Sequence, residues 1–358
     1  MTRLPRPRDD LSGFAPYRTQ QMPARVRVQA NEWAEPNPAD RFVSPEELHG
    51  LLLNRYPGSG DELRGILAAR WGVGPDQILL GNGSNEVLLT TFLAYGGHGR
   101  TTLLFEPTYS MHGRLAVTAG GTVAREEVGL PYAVTKERAL AAMARVAPAI
   151  VVFCTPNNPT GNRVPADAIL ATAAAYPETL VLVDEAYADF AGFTHLGAMR
   201  HHPNLVISKT FSKARAAAGL RLGALVAHPE VASVYRAVQL PYNIGAITLA
   251  VATAIARDES AIAPRVAVAA RERARLLAAL ARVPAVEAFP SETNFVLFRL
   301  RDGDAPRAHA HFLALGVLVR DISIWPGCAG CLRVSVGTPA ENDAFIAALA
   351  KVFEGVQV

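Results

Sequence analysis

The sequence predicts an α/β fold: a large domain with a mostly parallel sheet covered by helices, then a smaller α/β unit at the C-terminal end. Three observations carry this. The chain has 358 residues, more than one compact core usually holds. Hydrophobic residues make up 50% and charged residues 19%, which excludes an intrinsically disordered chain. Between residues 75 and 230, short apolar runs alternate with helical stretches, the pattern of a sheet buried on both faces.

Residues 1–40 are rich in proline and show little periodicity. They read as an arm that packs on something else, such as a partner subunit. Residues 41–250 hold the alternation. Ile78–Leu80, Leu103–Phe105, Ala149–Phe153, Leu180–Val183, Leu205–Ile207 and Leu222–Val226 are the expected strands. Glu86–Leu93, Ser110–Ala119, Thr135–Val146 and Ala166–Ala175 are expected helices. The Ala- and Arg-rich stretch 245–282 reads as one long linking helix. Residues 251–358 then form the smaller domain, with strands at Asn294–Leu300, Val317–Arg320 and Leu332–Val336 and a last helix at Glu341–Phe353.

Composition narrows the function classes. No apolar run reaches the roughly 18–20 residues of a membrane span, and the basic N-terminus has no apolar core behind it. Cytoplasm is the expected location, with no membrane partner. The net charge of +3 is spread along the chain without a basic run, so nucleic acid is not an expected partner. Cys154, Cys328 and Cys331 are few and odd in number, which argues against a disulfide framework. Cys328 and Cys331 form a CxxC with no second pair or His cluster, so no zinc site is expected and they read as ordinary thiols. Only four of the 35 basic residues are lysines: Lys136, Lys209, Lys213 and Lys351. A chain that prefers arginine keeps lysine where a nucleophilic amine is needed.

The unusual residues fall at the ends of expected strands, where such sheets bind ligands. Ser208-Lys-Thr-Phe-Ser-Lys213, with Arg221 eight residues on, offers an amine, two hydroxyls and a guanidinium. A phosphorylated aldehyde needs this equipment, although a solvated loop can contain it too. Asp184 ends an apolar run and Tyr187 follows. A carboxylate there can pair with a protonated pyridine nitrogen, or cap a helix or bind a metal. Cys154-Thr-Pro-Asn-Asn-Pro-Thr-Gly161 fixes an irregular loop after a strand, with Asn157 offering its amide. Gly81-Asn-Gly83-Ser84-Asn85-Glu86 opens a helix whose free N–H groups suit an anion.

This ordered set resembles the fold type I pyridoxal-phosphate aminotransferases, and within them the histidinol-phosphate aminotransferase group. The resemblance runs from Tyr17 to Asp343 and includes Asn31-Glu32, Arg55-Tyr-Pro57, Glu106-Pro-Thr-Tyr109-Ser, Asn157-Asn-Pro-Thr-Gly161, Thr210-Phe-Ser-Lys213, Gly219-Leu-Arg-Leu-Gly223 and Leu332-Arg333-Val-Ser-Val-Gly-Thr-Pro339. It implies pyridoxal 5'-phosphate as cofactor. By resemblance, Lys213 holds the cofactor covalently and shuttles a proton, with Lys209 as the rival lysine. Asp184 takes the pyridinium, Tyr187 and Asn157 the phenolic oxygen, and Tyr109 the ring face. Gly83, Ser84, Thr210, Ser212 and Arg221 grip the phosphate, and Asn85 lies beside the cofactor. Tyr56 is implied to reach the cofactor of a neighbouring subunit, which makes a homodimer with shared sites. Tyr17, Asn85, Tyr109 and Tyr242 match positions around histidinol phosphate. Arg320 and Arg333 match positions that hold its phosphate or the carboxylates of 2-oxoglutarate, the expected acceptor. An aromatic aminotransferase, a threonine-phosphate decarboxylase and a non-catalytic pyridoxal-phosphate sensor share much of this set. The sensor is disfavoured because only about 40 residues precede the large domain, too few for a DNA-binding module. A dinucleotide-binding dehydrogenase is disfavoured because Gly81-Asn-Gly83 lacks the third glycine of G-x-G-x-x-G. One departure stands out: Ala214-Arg215-Ala-Ala-Ala-Gly219 replaces the family's usual aromatic-containing segment.

Overall fold

The computed structural model describes residues 6, 8–11, 14–17, 21–301 and 303–354. The rest of the N-terminal arm lies outside the described residues. In chain order the strands are β1 (Val26–Arg27), β2 (Ile78–Gly81), β3 (Thr101–Glu106), β4 (Thr122–Glu127), β5 (Ile150–Cys154), β6 (Leu180–Asp184), β7 (Leu205–Thr210), β8 (Gly223–Val226), β9 (Val286–Ala288), β10 (Phe295–Leu300), β11 (Val317–Leu318), β12 (Arg320–Asp321) and β13 (Cys331–Ser335). The α-helices are α1 (Pro45–Gly50), α2 (Asp61–Trp71), α3 (Ser84–Tyr95), α4 (Met111–Thr118), α5 (Lys136–Val146), α6 (Ala166–Ala175), α7 (Ala188–Ala191), α8 (Pro229–Val238), α9 (Ala246–Arg257), α10 (Ile262–Leu280), α11 (Ala305–Ala314) and α12 (Pro339–Val352).

Seven strands form the main sheet in the order β2-β8-β7-β6-β5-β3-β4. Only β8 runs against its neighbours. Successive residues of the central strands point to opposite faces. Val151, Phe153, Val181 and Val183 therefore enter one apolar cluster, while Ile150, Val152, Leu180 and Leu182 enter the other. Both faces are covered, so these strands read as continuous apolar runs. β4 went unread in the sequence because it is the edge strand, and its Thr-Val-Ala-Arg-Glu-Glu is largely open to water. Charge on an edge discourages further strand pairing.

The expected helix over 245–282 is two helices. The break falls at Asp258-Glu-Ser-Ala261, where the Asp258 carboxylate accepts from the Ser260 N–H at 2.9 Å and so competes with the helix ladder. Likewise, Val317–Arg320 is not one strand: β11 pairs with β1, and β12 pairs with β13. Val26 and Val28 pack in the same cluster as Phe298, Phe312 and Phe345. This part of the expected arm thus belongs with the C-terminal core. The final helix starts on a capping box, with Thr338 and Glu341 exchanging side-chain and backbone bonds that satisfy two otherwise open N–H groups. Among the described residues no helix is long and apolar enough to cross a membrane.

Candidate active site

A cleft of about 420 Å³ opens at the carboxyl ends of the parallel strands, between the main sheet and the C-terminal core. Strand β6 delivers Asp184 and strand β7 delivers Thr210, followed by Ser212 and Lys213. The first turn of α3 delivers Ser84 and Asn85. Arg320 and Arg333 come from β12 and β13, where they are direct cross-strand partners. Tyr17, Tyr109, Tyr187 and Arg221 complete the lining.

Lys213 donates to the backbone carbonyls of Ala30 and Asn31 at 3.2 and 3.0 Å. Burial, then the charges of Arg333 and Arg221, lower its amine to about 8, with Glu32 opposing. About a tenth of it is therefore neutral and nucleophilic at pH 7, far more than an ordinary lysine would offer. The buried Asp184 carboxylate is held at both oxygens: Oδ2 by His112 Nε2 at 3.0 Å and Oδ1 by the Ala186 N–H at 3.2 Å. Tyr187 OH accepts from Asn31 Nδ2 at 2.9 Å, and burial pushes its hydroxyl well above the ordinary range. Tyr109 donates to Asn85 Oδ1 at 3.2 Å, and burial pushes it up to about 12.

Opposite the lysine, Arg333 is buried and donates to Asn158 Oδ1 at 2.6 Å and to the Gln29 carbonyl at 2.9 Å. Its Nε has no hydrogen-bond partner among the described residues. Burial first, then Arg320, lower it to about 10, while Tyr187 acts the other way. An anion binding there would relieve two crowded guanidinium groups.

The sequence reading needs correction at two residues, Asn157 and Tyr242. Asn157 does not line the cleft. Its Nδ2 donates to the Pro107 carbonyl and Thr160 Oγ1, both at 2.8 Å, and its Oδ1 accepts from Thr108 at 3.0 Å. Its side-chain polar atoms are spent on its own loop and on the segment after β3, around a small separate cavity. Asn158 lines the cleft instead. Tyr56 and Tyr242 also lie outside it. They stack on each other with ring centroids 4.3 Å apart and are 79% and 59% exposed. The geometry of this one chain gives neither of them a route to its own Lys213 cleft.

Three further residues had no role assigned from the sequence: His112, which lay in no quoted motif, and Asn31 and Asn158, which lay in quoted motifs. Each acts by hydrogen bonding to a residue that was foreseen. His112 reaches Asp184 across 72 positions of sequence and carries no local signal.

Lys209, the rival lysine, is buried against Glu185 at 2.8 Å and does not reach the cleft. Burial disfavours the Glu185 charge, but Lys209, His195 and Thr194 together hold the carboxyl at about 2. The departure at Arg215 also has a physical account. The side chain is buried and bonded to Asp189 at 2.8 Å and Glu259 at 2.7 Å, with its guanidinium over Phe211. An ion-paired arginine thus fills the space that an aromatic residue would pack.

These residues fit a phosphorylated pyridine aldehyde. Lys213 supplies the amine and Asp184 the carboxylate for a pyridinium. The α3 N-terminus, Ser84, Thr210, Ser212 and Arg221 converge for a phosphate. Gly83, with φ 80°, is the N-cap of α3 and brings no side-chain bond, which leaves the first N–H groups free for an anion. A Cβ on Gly83 would overlap the Arg221 guanidinium, and one on Gly223 would stand 2.6 Å from the Gly83 carbonyl carbon. The cradle tolerates only glycine at both places.

Fold and site together define an enzyme that works through an aldehyde cofactor held on a lysine. Residues 18–349 match the family Aminotransferase class I and II, and the chain belongs to that family; it is a transaminase. It is 40% identical to histidinol-phosphate aminotransferase of Frankia casuarinae, over 97% of this chain and 90% of that protein. It is also 40% identical to the Streptomyces avermitilis protein of the same name, over 96% and 95%. Among solved structures, histidinol-phosphate aminotransferase from Sinorhizobium meliloti in complex with pyridoxal-5'-phosphate matches with a TM-score of 0.82 and 25% identity, covering 93% of this chain and 92% of that one. L-threonine-O-3-phosphate decarboxylase from Porphyromonas gingivalis matches with a TM-score of 0.81 and 24% identity, covering 92% and 99%. That last likeness concerns the fold alone.

Proposed function

We propose that this enzyme transfers the amino group of histidinol phosphate to 2-oxoglutarate, as a step of histidine biosynthesis, with pyridoxal 5'-phosphate as cofactor. One observation carries the reading: a lysine of lowered basicity shares a cleft with a buried carboxylate on one side and two paired arginines on the other. The names of the relatives at 40% identity support the substrate.

When bound, the cofactor supplies an electron-withdrawing ring that stabilises negative charge at the substrate carbon. The chain's residues do the rest. Asp184, fixed by His112 and the Ala186 N–H, keeps the ring nitrogen protonated. Lys213 would hold the aldehyde through its amine, and as a free amine it would move the proton at the substrate carbon. Tyr187 and Asn158 would hold the phenolic oxygen, Tyr109 would pack against the ring, and Ser84, Thr210, Ser212 and Arg221 would hold the phosphate. Arg320 and Arg333 bind the anionic end of either substrate, which lets one cleft serve both half-reactions. Tyr17, within reach of Arg320 at 3.4 Å, and Asn85 border the substrate.

The active unit is a homodimer in the cytoplasm. The exposed Tyr56–Tyr242 stack and the exposed Leu52, Leu53 and Leu240 support this, since such apolar groups suit a partner's surface. Tyr56 then completes the partner's phosphate site. The large domain runs from 41 through α9 rather than ending at 250, because Val251, Ala252, Ile255 and Ala256 pack in the main-sheet cluster, and residues 26–28 join the C-terminal domain.

A single-turnover half-reaction tests the substrate. Holoenzyme is mixed separately with histidinol phosphate and with phenylalanine, and the visible absorbance of the bound cofactor is followed. Rapid loss with histidinol phosphate alone is expected. Preference for phenylalanine would make it an aromatic transaminase, and release of carbon dioxide from threonine phosphate would make it a decarboxylase.

A further inference from the structure

We propose that Cys328 and Cys331 form a redox-active dithiol that a small peroxide closes to a disulfide within the chain. Transamination makes no use of either thiol. Cys331 begins β13, and its N–H donates to the Cys328 carbonyl at 2.9 Å. Gly330 sits between them at φ 72°, so residues 328–331 form a tight turn of the kind that needs glycine at its third position. Such a turn holds its end Cα atoms within about 7 Å, and a disulfide spans about 4.4–6.8 Å. The bridge can therefore close with little backbone movement.

The two thiols are not equivalent. Cys331 faces Arg299 across the β10–β13 pairing. The Arg299 guanidinium donates to Tyr132 OH at 2.7 Å and to the Gly327 carbonyl at 3.3 Å, and its Nε has no partner among the described residues. The adjacent Cys328 thiol, then Arg299, pull the Cys331 thiol below its ordinary value against the opposing effect of burial. Cys328 moves the other way, as donor to Cys331 and by burial. Cys154, in contrast, is deeply buried beside Asp184 and pushed well up. Thiolate character decides which cysteine reacts.

The assignment follows. The Cys331 thiolate attacks one oxygen of hydrogen peroxide, the O–O bond breaks, and hydroxide leaves and takes up a proton. Cys331 is now a sulfenic acid. The Cys328 sulfur, losing its proton, attacks the Cys331 sulfur; the S–O bond breaks and water leaves. Two thiols lose two electrons and two protons, and the peroxide becomes two waters. Both sulfurs are buried, but Gly327 and Ala329 on either side of Cys328 are exposed. A small oxidant needs only the turn to breathe.

The test uses full-chain holoenzyme treated with hydrogen peroxide, then unfolded and alkylated. The expected result is a fall from three alkylatable thiols to one, with loss of two hydrogens, a bridge mapped to residues 328–331, and reversal by dithiothreitol. With the sulfenic-acid trap dimedone present, Cys328→Ser should accumulate about tenfold more adduct than Cys331→Ser. Three surviving thiols in the wild type, oxidation at Cys154 first, or sulfinic acid without a bridge would each overturn the proposal. The wild-type measurement decides it even where a serine variant folds poorly, and no arm depends on transaminase activity.

Discussion

Replacing Gly83 with alanine probes the phosphate cradle without touching a reacting group. Gly83 sits at φ 80°, ψ 163°, a conformation that costs a residue with a side chain about 1–3 kcal/mol. That cost appears as lost stability of the apoprotein in denaturant. The new methyl group would also stand 3.0 Å from Arg221 Cζ and overlap its guanidinium. The guanidinium is the free end of a flexible side chain, so it yields while the backbone stays. A charge-assisted bond to phosphate is worth about 1.5–3 kcal/mol, so its loss weakens cofactor binding about 10- to 150-fold. Titration of apoprotein with pyridoxal phosphate, read by visible absorbance, gives the Kd. Arg221→Ala should show a loss of similar size. The double variant should be little worse than either single one, because both act on the same contact. A Gly83→Ala protein that bound cofactor within twofold of wild type would refute the placement of the phosphate between the α3 N-terminus and Arg221. Gly223→Ala provides the contrast. Its methyl would meet the Gly83 carbonyl carbon and the Ser84 Cα, 2.6 and 2.7 Å away. Backbone cannot swing aside, so here the loss falls on stability as well, about 1–3 kcal/mol.

Lys209 within β7 and Lys213 just after it should separate cleanly. Lys213→Ala should abolish transamination with the fold intact; Lys209→Ala should leave the chemistry in place but strand the Glu185 charge, destabilising the protein by about 3–5 kcal/mol. Turnover and urea unfolding of both variants check this, and wild-type turnover in Lys213→Ala would return Lys209 to consideration. Glu185 also predicts an acid limb of stability. Its carboxyl lies at about 2 in the folded protein against an ordinary 4.5, so the unfolded chain binds the proton first. The contribution is complete above about pH 4.5 and is lost as pH falls through 4.5 toward 2. Unfolding midpoints measured across that window should flatten in the double variant Glu185→Gln, Lys209→Met, and an unchanged slope would count against the buried pair.

What could be read from the sequence follows from how each residue acts. Strands buried on both faces announce themselves as unbroken apolar runs, so the centre of the sheet was legible while β4, charged for its place at the edge, was not. The residues that supply irreplaceable chemistry at strand ends, Lys213, Asp184 and Arg221, were legible for the same kind of reason: few other side chains do their work. Residues that act through another residue leave no such mark. His112 and Asn31 touch Asp184 and Tyr187 from 72 and 156 positions away, and many side chains can donate one hydrogen bond. Asn157 and Asn158 show the limit most sharply. Two identical neighbours offer the same chemistry, and only the direction in which the loop leaves β5 decides which amide meets Arg333 and which is consumed by Pro107 and Thr160. Arg215 is the reverse case. It stood out in the sequence as a misfit, yet its partners, Asp189 and Glu259, lie 26 and 44 positions away and turn it into part of the core. The Tyr56–Tyr242 stack belongs to a third kind. Its meaning lies outside one chain altogether, because an exposed aromatic pair acquires a role only when a second surface covers it.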